Sequence, residues 1–92
     1  MLFRSIGQEK IVEFTEKVLG SIDEKEFESF YKIFNIYKKN NGSIKNASTE
    51  LFMHKNTLQY QLNKIEKLTG YDPRNLEDFS TLDLAFTLKN FD

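Results

Sequence analysis

At 92 residues with 39% hydrophobic content and nine Phe, the chain suits one small domain that buries roughly two thirds of its unfolded surface, and no run of about 18 apolar residues offers a membrane span. Zero cysteines and one histidine, His54, exclude disulfides, thiol catalysis and cysteine-bound zinc, and leave no basis for a metal centre or a cofactor. The net charge of −1 hides a local +4 across residues 38–67, where six lysines face Glu50 and Glu66, between flanks of −2 (1–37) and −3 (68–92).

Four glycines, one proline and few β-branched alternations predict an all-α chain of helices joined by short connections. Residues 1–7 are expected as an apolar leader, either poorly ordered or docked through Leu2, Phe3 and Ile6, ahead of a single helical domain over 8–92. No basic stretch leading into an apolar segment follows Met1, so a soluble, cytoplasmic protein is expected. The first helix is predicted over 8–19, with Ile11, Phe14, Thr15 and Val18 on one face, Val12 and Leu19 beside it, and Gly20 as the stop. The second starts at Asp23, which caps it, and Glu26 three residues on completes a capping-box pattern. Phe27, Phe30, Tyr31, Phe34 and Tyr37 then recur at helical spacing, widened by Ile33 and Ile36, which marks a core row and not a stacking platform.

That helix ends at Asn40, Asn41 and Gly42, where Lys38 and Lys39 suit the negative end of the helix dipole and Gly42 suits a left-handed turn. Ser43 caps a short third helix over 44–52, with Ile44, Ala47, Leu51 and Phe52 as its inner face. A tight link at Met53 and His54 leads to a fourth helix over 55–69, closed by Gly70. After the turn at Asp72 and Pro73, Asn75 with Asp78 caps a fifth helix over 76–90, packed through Leu76, Phe79, Leu82, Leu84, Ala85, Phe86 and Leu88.

Two helices joined by a short turn, with the small Ala47 on the inner side of the first, describe a helix-turn-helix at about 43–69. A methyl group at Ala47 lets the second helix cross closely. On the helix over 55–69, Leu58, Leu62, Ile65 and Thr69 fall on one side, and Asn56, Gln59, Tyr60, Asn63 and Lys67 on the other. A polar helix face is ordinarily only solvated. This one is rich in amides, follows a helix-turn-helix spacing and lies in the net-positive segment, which together point to duplex DNA.

The stretch NNGSIKNASTELFMHKNTLQYQLNKIEKLTGYD, with the later LDLAFTLKNF, resembles the C-terminal helix-turn-helix domain of the PucR/CdaR family of bacterial transcriptional regulators. The matching residues are Asn41, Gly42, Ser43, Ala47, Leu51, His54, Asn56, Thr57, Leu58, Tyr60, Leu62, Ile65, Glu66, Leu68, Thr69 and Gly70, within about 35–90. A weaker similarity to the Fis-type helix-turn-helix points the same way. The resemblance implies a DNA-binding output domain, either excised from a regulator with an upstream small-molecule sensor or a short relative without one. The family pattern carries Arg after the His and on both sides of the Tyr, whereas this chain has Lys55, Gln59 and Gln61. Guanine-directed arginine contacts are therefore missing, and adenine contacts from Gln59 are expected in their place.

The contact candidates are Ser43, Lys45, Lys55, Asn56, Thr57, Gln59, Tyr60, Asn63 and Lys64. Some have plainer roles: Ser43 and His54 as caps, Asn56 and Thr57 as caps or phosphate donors, Tyr60 with its ring along the last helix, and Lys45, Lys64 and Lys67 as solvated charges. No nucleophile, phosphate loop or paired acids suggest an enzyme. The alternative function is a protein-interaction or dimerisation module derived from a helix-turn-helix. A DNA reader of this kind is expected to be a homodimer, with the interface on the first or the fifth helix.

Overall fold

The computed structural model describes residues 7–91. The leader expected at 1–7 lies outside them except for Gly7, which opens the first helix. Five helices follow in order: α1 (Gly7–Leu19), α2 (Glu24–Lys39), α3 (Ile44–Glu50), α4 (Lys55–Thr69) and α5 (Leu76–Phe91), with no strand among the described residues.

The ends of α2 to α5 are set locally. Each of these helices starts on a side chain that accepts an otherwise orphaned backbone N–H: Asp23 Oδ1 from Glu26 at 2.9 Å, Ser43 Oγ from Asn46 at 3.1 Å, His54 Nδ1 from Asn56 at 3.0 Å and Asn75 Oδ1 from Asp78 at 2.9 Å. The reciprocal halves of the capping patterns go elsewhere. Glu26 sends its carboxylate to Lys64 at 2.6 Å, and Asp78 Oδ2 accepts the Asp72 N–H at 3.1 Å. At the far end of α2 the Gly42 N–H reaches the Tyr37 carbonyl and the Asn41 N–H reaches that of Lys38, both at 2.9 Å, with Asn41 and Gly42 both left-handed at φ 55 and 78. Gly70, at φ 83, returns its N–H to Glu66 at 2.7 Å and ends α4.

The core gathers around α2, as the aromatic spacing predicts. Phe27, Phe30, Ile33, Phe34 and Tyr37 are buried, and they meet Leu82, Ala85 and Phe86 of α5 and Leu58, Leu62 and Ile65 of α4 in one cluster. Phe34 lies between two rings of α5, Phe79 at 4.7 Å and Phe86 at 4.9 Å between centroids, distances at which aromatic pairs attract beyond simple burial. α1 packs on α5 and α4 and contributes Val18 and Leu19 to the core, while α3 packs on α4 and α2.

Three apolar positions depart from expectation. α3 stops at Glu50, so Phe52 leaves the helix at φ 56 and stands 97% exposed instead of facing inward. Ser48 takes the buried place, its hydroxyl satisfied by the Lys45 carbonyl at 3.0 Å. On α5, Leu76 is 84% and Leu84 53% exposed, because Phe79, Leu82, Ala85 and Phe86 already fill the face that meets α2.

Candidate nucleic-acid interface

α3 and α4 are joined by Leu51 to His54. The turn is tightened by two bonds, Phe52 N–H to Thr49 at 3.1 Å and Met53 N–H to Ser48 at 3.0 Å, the pattern that closes a helix through a left-handed residue. Ala47 has no exposed surface and Ser48 very little, so the buried side chains of α3 are small, and Ala47 shares the core with Leu58, Leu62 and Ile65 of α4. Glu50 ties this unit to α2, accepting from Lys39 Nζ at 2.8 Å and from Asn40 Nδ2 at 3.1 Å. Those two hydrogen bonds hold the Glu50 carboxyl below its ordinary range.

With its leucine and isoleucine side buried, α4 turns Asn56, Tyr60, Asn63 and Lys67 to solvent. These positions differ by four, three and four residues, so they form one row along the outermost ridge of the helix. Tyr60 is 62% exposed, its ring standing out from the helix. Lys55 and Thr57 are exposed in the first turn of α4, and Lys45 in the first turn of α3, while Ser43 is half-buried as the α3 cap.

The six lysines of the positive segment divide into two sets. Lys38 pairs with Asp83 at 3.0 Å, Lys39 with Glu50 at 2.8 Å and Lys64 with Glu26 at 2.6 Å. Lys64 also lies over the Phe30 ring at 5.9 Å, and its bond to Glu26 raises its pKa, so it is held on the α2 side of α4. Lys45, Lys55 and Lys67 hold no ion pair among the described residues.

Arg74 is the functional candidate that the sequence alone did not point to. It lies in the α4–α5 connection beside the buried Pro73 and reaches back across α4: Nη1 donates to Gln59 Oε1 at 2.8 Å, and Nη2 to Asn63 Oδ1 at 2.7 Å and Glu66 Oε1 at 3.3 Å. Its Nε and backbone N–H both donate to Asp72 Oδ1, at 2.8 and 3.0 Å. Burial pushes the Asp72 carboxyl up, but the hydrogen bonds and charge of Arg74 outweigh it and hold the group below its usual value. The only signal in the sequence was the Asp72-Pro73 turn, which marks a change of direction but does not show where the next side chain lands.

This architecture can be set against known proteins. The model of the PucR C-terminal helix-turn-helix domain matches residues 31–88, a span that takes in the aromatic row from Tyr31 onward, the helix-turn-helix, Arg74 and most of α5. The chain belongs to the PucR C-terminal helix-turn-helix family. Among similar proteins are an uncharacterized protein of Haemophilus influenzae, 35% identical over 74 residues (80% of this chain, 20% of that one), and the proline-responsive transcriptional activator PutR of Bacillus subtilis, 36% identical over 75 residues (78% and 18%). The purine catabolism regulatory protein of Bacillus subtilis is 29% identical over 90 residues, 96% of this chain and 17% of that protein. The chain thus spans about a fifth of the length of the curated relatives it matches. No solved structure gives a significant match.

Membership in this helix-turn-helix family, whose relatives here include transcriptional regulators, supports a DNA-binding regulatory role. Among the described residues no helix is long and apolar enough to cross a membrane. Of the residues singled out in the sequence, the fold brings Asn56, Tyr60 and Asn63 into one row with Lys55 and Thr57 at its start, gives Ser43 and His54 to capping, engages Gln59 and Asn63 with Arg74, and turns Lys64 toward α2.

Proposed function

We propose that this PucR-type domain is the output unit of a longer cytoplasmic regulator and reads a specific duplex sequence by laying α4 in the major groove. The observation that carries this reading is the exposed row Asn56, Tyr60, Asn63 and Lys67 on a helix whose opposite side buries Leu58, Leu62 and Ile65. Amide and hydroxyl groups on such a ridge match the donors and acceptors of base edges, and the first turns of a recognition helix are the part that reaches them. Lys45, Lys55 and Lys67 then face phosphates, with Ser43 and Thr57 as neutral phosphate donors; Lys64, committed to Glu26 and Phe30, is left out of this set.

One such unit covers a half-site, so the regulator works as a homodimer. The exposed Val12 of α1 and Leu84 of α5 supply apolar surface for it. The sensing part lies outside this chain, in keeping with relatives of which the chain covers a fifth or less.

Titration of labelled AT-rich and GC-rich duplexes at low salt tests the reading. Binding at roughly tens of micromolar or tighter is expected, with Asn56→Ala plus Gln59→Ala weakening it by at least about tenfold. No binding, or binding indifferent to the double substitution, would favour the alternative of a helix-turn-helix turned protein-interaction module. Sedimentation in the same buffer reports whether two copies associate.

A further inference from the structure

The contacts of Arg74 bear on which bases α4 selects, an inference that rests on the DNA-reading role above. Arginine is a donor at every polar atom, so a carboxamide that meets it must turn its oxygen inward. Gln59 Oε1 and Asn63 Oδ1 are so held, at 2.8 and 2.7 Å. Each is left with its NH2 group as the end not engaged by Arg74.

Adenine is recognised by an amide that uses both ends, the oxygen accepting from N6 and the nitrogen donating to N7. An amide whose oxygen already accepts from a guanidinium keeps one lone pair, but its plane is set by that bond, so it presents the pair less well than a free amide. Guanine offers two acceptors, N7 and O6, and thymine offers O4, whereas adenine sets its N6 donor beside its N7 acceptor, so an NH2 group acting as donor alone suits the first two edges better. We propose that Arg74 is a specificity-determining positioning residue: by holding the oxygens of Gln59 and Asn63 inward, it makes both side chains donors and directs them to guanine or thymine instead of adenine.

The guanidinium is itself well fixed. Asp72 Oδ1 takes its Nε and its backbone N–H, the Asp72 N–H is held by Asp78 at the start of α5, and Pro73 between them is buried. Glu66 accepts from Nη2 on the far side at 3.3 Å, so two carboxylates balance its charge and Arg74 acts here by orienting neighbours more than by attracting phosphate. The lost arginines on either side of Tyr60 are thus partly replaced by an arginine from another element, which acts through the glutamine.

Selection of binding sites from a randomised duplex pool tests this. The position read by Gln59 is the one whose preference disappears in Gln59→Ala. Guanine or thymine is expected there for the natural chain, and adenine should gain about tenfold over them in Arg74→Met, where Gln59 is free to use both ends. Arg74→Lys keeps the charge but not the fork and should shift the preference in the same direction by less. Adenine selected by the natural chain at that position overturns the proposal, as does an unchanged preference in a folded Arg74→Met or Arg74→Lys that still binds. Loss of affinity with no change in base preference would mark Arg74 as structural only, and absence of any duplex binding by the natural chain would remove the DNA-reading role itself.

Discussion

Phe52 holds a left-handed backbone at φ 56 while its ring is 97% exposed. The backbone bears a cost of roughly 1–2 kcal/mol for an L residue in that region, and no burial offsets it. Replacing it with glycine removes that cost but adds conformational freedom to the unfolded chain, so Phe52→Gly should stabilise the domain by about 0.5–1 kcal/mol, read as a higher urea midpoint at unchanged slope. A fall in stability would mean that the ring packs in solution. The sequence foresaw only Gly42 as a left-handed residue. Asn41, at φ 55, is a residue type that tolerates the conformation, but nothing about a phenylalanine signals it. Its position follows from α3 ending at Glu50, two residues earlier than its apolar residues suggest.

At the scale of the elements, α4 shows how a helix can be legible while its surface is not. Its limits, its cap at His54, its stop at Gly70 and its buried side all follow from spacing and from local hydrogen bonds. Its charge does not. Summed along the sequence, residues 38–67 carry +4, yet Lys38, Lys39 and Lys64 are each paired with an acid and only Lys45, Lys55 and Lys67 hold no ion pair among the described residues. The salt dependence of DNA affinity should divide in the same way. Lys45→Ala, Lys55→Ala and Lys67→Ala are each expected to lower the slope of log K against log salt by about 1, whereas Lys39→Ala should leave it close to that of the natural chain. Equal effects from the two sets in a filter-binding series from low to moderate salt would show that the ion pairs yield to phosphate.

For the whole molecule, charged contacts fasten the helix-turn-helix to its surroundings: Glu50 to the end of α2, Lys64 to Glu26 near its start, and Arg74 with Asp72 to the α4–α5 connection. Glu50 and Asp72 titrate below their ordinary 4.5 and 3.8, so what they contribute to folding is present above those values and is lost as pH falls through the depressed ones. Lys64, bonded to Glu26, and Tyr37, buried in the core, titrate above 10.5 and 10.0. Their contributions are whole below those values and are lost as pH rises past them. The melting temperature should therefore be flat from about pH 5.5 to 9 and fall on both sides, and Glu50→Gln should soften the acid decline by removing one of the groups that causes it. An acid limb unchanged in that variant would show that the link between α2 and α3 does not matter to stability.

The sequence by itself determined the five helices, their caps, the rows of Phe and Leu that face inward, the helix-turn-helix and the family. These depend on spacings of three and four residues and on bonds closed within a turn, which any reading along the chain can follow. The tertiary structure alone decided which lysines are neutralised, which apolar residues of α3 and α5 stay outside, and that Arg74 lies against Gln59 and Asn63. Those contacts join residues 45, 15 and 11 positions apart, so they exist only after the helices have packed and brought their side chains within reach.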